Sequence, residues 1–116
     1  MIEKLERMAM LFDFYGKLLT PKQQEALSLY YEQDLSLGEI ADEFGVTRQA
    51  VHDIIKRGEN VLEEYEEKLG LVKKFALERD RLSKVLNLLD ELRDEPAVAR
   101  KIRSVINEIV EIQQND

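Results

Sequence analysis

Apolar residues recur along this chain three and four positions apart, the period of one helix face, and strand-like alternation is nowhere sustained. Ile2, Leu5, Met8, Leu11 with Phe12, Tyr15 and Leu18 predict a helix over residues 2–18. Thr20-Pro21 stops and restarts the chain: Thr20 is an N-cap, Pro21 takes the first helical position, and Gln23 completes a capping box. The helix that follows, 21–32, carries Ala26, Leu27, Tyr30 and Tyr31 and frays at Gln33-Asp34. Ser36 and Glu39 open a third helix over 37–44, and Thr47 caps a fourth over 48–69. Val51, Ile54/Ile55, Val61/Leu62, Tyr65 and Leu69 keep one stripe along that fourth helix, interrupted only by Gly58. Glycine there is less favourable than alanine by roughly 1 kcal/mol and marks a bend or a close contact. Leu71, Phe75, Leu82, Leu86 with Val85, Leu89 and Leu92 predict a fifth helix over 71–93. After Asp94-Glu95-Pro96, Val98, Ile102, Val105/Ile106 and Ile109 with Val110 predict a sixth over 96–113. The fold class is therefore all-α, with an N-terminal part of three or four helices (residues 1–69) and a C-terminal helical hairpin (residues 70–116).

One stretch carries more than helical periodicity. Ser36 to Arg57, SLGEIADEFGVTRQAVHDIIKR, has the spacing of a helix-turn-helix, two short helices crossing steeply around a tight turn so that the second can enter a DNA groove. Ile40, Phe44, Val46, Val51 and Ile54 are apolar where the two helices face each other and the helix before them. Ala41 is small at the crossing, and Gly45 stands at the turn, where a left-handed backbone favours glycine. The exposed side of the second helix is then Thr47, Arg48, Gln49, His52, Asp53 and Lys56. Arg48 and Gln49 are the residue types that read guanine and adenine bidentately from the start of a recognition helix. His52 would assist, and Thr47 and Lys56 would hold phosphates. The bland alternative is a solvated or protein-facing helix surface.

Charge bears directly on that choice. The chain has a net charge of −7, and DNA affinity is dominated by phosphate neutralisation. Residues 1–46 set Lys4, Arg7, Lys17 and Lys22 against nine carboxylates, whereas Thr47 to Arg57 sets Arg48, Lys56 and Arg57 against Asp53 alone. A continuous basic strip from Lys17 and Lys22 to Arg48 and Lys56 would favour DNA, and isolated cations on an acidic surface would favour a protein partner. Asp53 repels phosphate unless it accepts from a cytosine amine. The run Glu63, Glu64, Glu66 and Glu67 reads as a polar helix face in preference to an acidic docking surface.

Catalysis finds no support. The chain has no cysteine, no Gly-rich phosphate loop, a single histidine and no serine in a nucleophile context, so neither a catalytic set nor a metal or cofactor site is expected. Its start, MIEKLERMAM, lacks the apolar core of a signal peptide, and no stretch approaches a membrane span, which makes the expected location cytoplasmic. The stripes of the long fourth helix and the hairpin exceed what one small core absorbs, so self-association through residues 58–113 is expected, with positions 48–56 left outside the interface.

Leu19 to Glu64, LTPKQQEALSLYYEQDLSLGEIADEFGVTRQAVHDIIKRGENVLEE, resembles region 4 of the sigma-70 family, which reads the −35 promoter element. Over nearly its whole length the chain resembles more closely the YlxM family of small bacterial proteins, through MLFDFYGKLLTPKQQ and LSLGEIADEFGVTRQAVHDIIKR. The gene in that family lies beside those of the signal recognition particle, including its GTPase Ffh, and the resemblance implies a role in that pathway. By the sigma pattern Thr47, Arg48, Gln49, His52 and Lys56 occupy groove-facing positions, while Asp53 and the glutamates after Gly58 depart from the basic run usual in sigma helices. The main expectation is a non-enzymatic helix-turn-helix regulator that binds DNA. The alternative is an accessory protein that has kept the fold and binds the signal recognition particle or its RNA.

Overall fold

The computed structural model describes residues 2–114; of Ile2, expected on the first apolar stripe, only the backbone is described. Six α-helices follow one another: α1 (Ile2–Tyr15), α2 (Pro21–Leu27), α3 (Leu37–Phe44), α4 (Arg48–Leu69), α5 (Leu71–Leu89) and α6 (Pro96–Gln114). No strand occurs among the described residues, so the all-α fold class holds. No helix among them is long and apolar enough to cross a membrane. The chain divides into two compact units between Val72 and Lys73.

The first unit is built on α4. Met8, Leu11 and Tyr15 of α1, Ala26 and Leu27 of α2, Ile40 and Ala41 of α3, and Val51, Ile55 and Leu62 of α4 form one buried cluster, joined by Leu19 and Leu29. The buried stripe of α4 runs through Val51, Ile55, Gly58, Glu59 and Leu62; Ile54 is half-buried beside it. Gly58 has a packing reason: a Cβ there would lie 2.8 Å from Leu27 Cδ1 and 3.6 Å from Gln23 Cβ. The missing side chain lets α2 lie directly on α4.

Five of the expected inward positions of this unit face outward, two of them, Leu69 and Leu71, at the end of α4 and the start of α5. Leu18 is exposed because α1 gives way at Gly16 to a 3₁₀ turn, Gly16–Leu18, whose tighter winding turns Leu19 into the core in its place. Leu5 is exposed because α1 passes an open recess at that level, which Leu5 lines. Val46 is 43% exposed: the left-handed Gly45 (φ 67°) reverses the chain, so Val46 spends its N–H on the Ala41 carbonyl (3.1 Å) and projects its side chain away. The second helix also ends early. From Ser28 to Glu32 the backbone widens into a π-turn, with Gln33 N–H reaching back to Ser28 O at 3.1 Å.

Two polar clusters tie α1 to α4. Arg7 grips Glu63 with both arms of its fork, Nε and one terminal nitrogen each 2.7 Å from a carboxylate oxygen. That donation holds the Glu63 carboxyl below the usual carboxylate range. The stability it contributes is therefore present above the ordinary glutamate pKa and is lost as pH falls through the lowered folded value. Further along, the buried Tyr15 hydroxyl donates to Glu66 Oε1 (2.6 Å) and accepts from Leu71 N–H (3.1 Å), while Val72 N–H donates to the same Glu66 oxygen (3.0 Å). Burial, and next the bond to Glu66, pushes the Tyr15 phenol pKa up. The first amides of α5 are thus capped by side chains from α1 and α4, and Gly70 (φ 62°) ends α4 in the left-handed conformation.

The second unit contains most of α5, an acidic turn and α6. Helix α5 ends at Leu89, four residues short of its expected end at 93, because the chain tightens into i→i+3 bonds from Asp90, Glu91 and Leu92 to Asn87, Leu88 and Leu89. Leu89 and Ile106 are buried. Leu77, Val85, Leu88, Val98, Val105, Ile109 and Ile112 are exposed, the last by 73%. An apolar groove of about 440 Å³ runs between α5 and α6, lined by Leu77, Leu82, Val85 and Ile109 with Lys74 and Arg81 at its rim.

Candidate functional site

The helix-turn-helix is assembled from local caps laid on a shared core. Ser36 Oγ accepts from Glu39 N–H (3.1 Å), and Glu39 Oε1 accepts from Ser36 N–H (3.0 Å), which completes the capping box of α3. The donated Ser36 N–H holds the Glu39 carboxyl below its usual range. Gly45 returns its N–H to Ala41 O, and two residues later Thr47 Oγ1 accepts from Ala50 N–H (3.0 Å) to start α4. Ile40 and Val51 are fully buried where the two helices meet.

The five residues expected to face a groove are all exposed on α4 or at its cap, but they do not form one free surface. The Thr47 hydroxyl oxygen is occupied as the N-cap. Gln49 Nε2 donates to Asp53 Oδ1 (3.1 Å), one turn on. His52 Nδ1 lies 3.7 Å from the same Asp53 oxygen. Lys56 Nζ stands 3.9 Å from Glu59 Oε1. Arg48 forms no ion pair among the described residues; its aliphatic stem lies against α3, where a Cβ on Gly38 would be only 3.8 Å from Arg48 Cδ. Lys22, at the proposed far end of a basic strip, lies over the Phe44 ring with its ammonium 4.0 Å from the centroid. Between Lys22 and Arg48, α3 exposes Glu39, Asp42 and Glu43. The positive side chains are therefore interleaved with carboxylates instead of forming a strip.

Glu59 is the residue that periodicity passed over. It lies four residues past Ile55 and three before Leu62, on the core stripe itself, and its side chain is only 7% exposed. Tyr31 donates its hydroxyl to Glu59 Oε2, and Lys4 Nζ lies 3.6 Å from Oε1. Burial, and next this hydrogen bond, drives the Tyr31 phenol pKa strongly upward. A charged residue on an otherwise apolar stripe was the available signal. Its partners, Lys4 from α1 and Tyr31 from the π-turn, lie too far away in sequence for spacing to connect them. Among the described residues, no group of three or more His, Asp or Glu side chains could hold a metal ion.

Caps, turn and buried crossing define a helix-turn-helix protein. The family model described as "Putative helix-turn-helix protein, YlxM / p13 like" matches residues 2–109, and the chain belongs to this family, UPF0122. A UPF0122 protein of Desulforamulus reducens is 47% identical over 116 residues, covering 98% of this chain and 99% of the relative. UPF0122 proteins of Bacillus cereus strain AH187 and Bacillus anthracis are each 55% identical over 109 residues, covering 94% of this chain and 96% of the relative.

Proposed function

We propose that this chain is a cytoplasmic accessory protein of the signal recognition particle pathway, which engages the particle through its protein or its RNA and not through promoter DNA. The link to the pathway comes from the YlxM family resemblance. The observation that turns the choice away from DNA is the state of the recognition helix: Gln49, His52 and Lys56 lie against Asp53 and Glu59, and α3 exposes three further carboxylates. The exposed His52–Asp53 contact is individually weak, worth about 0–1 kcal/mol. The effect is nevertheless collective, because a phosphate approaching this face meets carboxylates beside His52 and Lys56, and few counterions would be released.

In this reading residues 1–69 are the helix-turn-helix domain, and residues 70–116 are a hairpin whose exposed Leu, Val and Ile face pairs with further copies. One observation favours the second reading, a DNA-binding regulator: Arg48 stands at the N-terminal end of α4 without a carboxylate partner, followed by Gln49. In that case Thr47, Arg48, Gln49, His52 and Lys56 would make the contacts, and binding would fade quickly with salt.

Affinity capture of the chromosomally tagged protein separates the two. The accessory reading expects the particle's GTPase and RNA to co-purify, and expects this to survive Arg48→Ala. Recovery of an enriched duplex sequence that Arg48→Ala abolishes, with no particle components, would overturn it.

A further inference from the structure

The recess that exposes Leu5 is a second feature of the first unit; it shares His52 and Lys56 with the groove-facing set and excludes Thr47, Arg48 and Gln49. It is a concavity of about 380 Å³ lined by Lys4 and Leu5 of α1, Tyr30 and Tyr31 of the π-turn, and His52, Lys56 and Glu59 of α4. Its volume falls within the range of small-ligand sites, roughly 300–1,000 Å³. The walls are mostly apolar, with polar groups gathered at one place. Three elements remote in sequence supply those groups.

Each wall has a definite chemistry. At the floor is a buried carboxylate: one Glu59 oxygen accepts from Tyr31, while the other is approached by two ammoniums beyond hydrogen-bond distance, at 3.6 and 3.9 Å. A carboxylate has about four acceptor positions, so Glu59 keeps capacity for donors on a ligand. At the rim, Lys4 and Lys56 have side chains more than half exposed and can turn toward an anion. One side is aromatic: the rings of Tyr30 and Tyr31 meet edge to face, 5.0 Å apart at 84°. That packing holds Tyr31 on Glu59 while Tyr30 contributes a ring to the lining. The π-turn of residues 28–32 brings these two consecutive tyrosines to the recess, and such turns are frequent at functional sites.

The geometry points to a binding site for a single nucleotide whose base carries adjacent hydrogen-bond donors, guanine above all. The base stacks on Tyr30 and Leu5, its N–H edge donates to Glu59, and its phosphate lies between Lys4 and Lys56 with His52 beside it. Stacking on an aromatic side chain is the means by which proteins hold unpaired bases. A duplex is disfavoured, because its bases are stacked and paired and cannot present a donor edge to the buried Glu59 carboxylate. The nucleotide can come from a free pool or from an unpaired position in a single-stranded RNA, since both present the same base and phosphate. The inference does not depend on the pathway proposal: it can stand if the particle is not the partner, and fail if it is.

The test is a titration of the full chain, followed by tyrosine fluorescence, with guanosine monophosphate, uridine monophosphate, a short single-stranded RNA containing guanine, and the same RNA fully paired. Tyr30 and Tyr31 are two of four tyrosines, and there is no tryptophan to mask them. Saturable quenching by guanosine monophosphate assigns the free nucleotide as a source, and quenching by the single strand alone assigns RNA. In either case uridine monophosphate and the paired RNA bind at least tenfold more weakly. Lys4→Ala and Tyr30→Ala, checked for unchanged helicity by circular dichroism, each weaken binding at least tenfold. Neither guanosine monophosphate nor the single strand quenching saturably at millimolar ligand, or equal affinity in Lys4→Ala, would overturn the site. Paired RNA binding as well as the single strand would overturn it too.

Discussion

Leu62→Ala is expected to lower the stability of the first unit by about 2–5 kcal/mol, the largest single effect foreseen for this chain. Leu62 is fully buried at the centre of the cluster in which α1, α2 and α4 meet. Truncation removes its transfer free energy and leaves a cavity that the surrounding helices can close only in part, because α2 is already seated on Gly58. For a unit of this size the loss corresponds to a drop in melting temperature on the order of 10–30 °C. The contrast is Leu77→Ala in the hairpin, where the side chain is half exposed and a monomer would lose little. Calorimetry of the two variants checks both at once. A Leu62→Ala protein that melts with the wild type would contradict the core described above.

Gly58→Val is the second large effect, about 1–3 kcal/mol of destabilisation. In an exposed helix, replacing glycine ordinarily gains up to about 1 kcal/mol. Here the new Cβ would fall 2.8 Å from Leu27 Cδ1, and Leu27 is itself fully buried, so its side chain has nowhere to swing. The two methyls of valine add to the clash, and α2 must lift from α4. Gly38→Ala is the matched control. Its Cβ would meet nothing nearer than Arg48 Cδ at 3.8 Å, so the ordinary gain of about 0.5–1 kcal/mol should appear. Opposite signs at the two glycines, read from urea unfolding midpoints, are the expected result. A stabilised Gly58→Val protein would mean that α2 and α4 are not in contact there.

The helices were legible in the sequence because their ends are written in short-range chemistry. Thr20 with Gln23, Ser36 with Glu39, and Thr47 each make the side-chain cap that their spacing predicts. Gly45 and Gly70 both adopt the left-handed conformation that ends a helix. What could not be read was whatever depends on winding or on distant partners. The periodicity of residues 2–18 does not reveal a 3₁₀ turn at Gly16, so Leu18 was assigned to the core that Leu19 occupies. The π-turn at Ser28 was likewise hidden inside an unbroken helical pattern. The residues expected to face a groove are exposed on α4 or at its cap, but spacing does not weigh a carboxylate that folds back onto its neighbours. Asp53 stands one turn from Gln49 and Glu59 three residues from Lys56, yet the tie of Lys4 to Glu59 becomes evident only once α1 lies against α4. Tyr15 is the same kind of case: it was read as a stripe residue, and its hydroxyl caps a helix that starts 56 residues later.

The accessory role is tested most directly by measuring, side by side at physiological salt, the affinity of the purified full-length chain for the reconstituted signal recognition particle and for a randomised pool of DNA duplexes. Saturable binding to the particle, unchanged by Arg48→Ala, and no enrichment of any duplex over successive rounds of selection are expected. Enrichment of one duplex sequence that Arg48→Ala weakens by ~1–3 kcal/mol, with no binding to the particle, would contradict it.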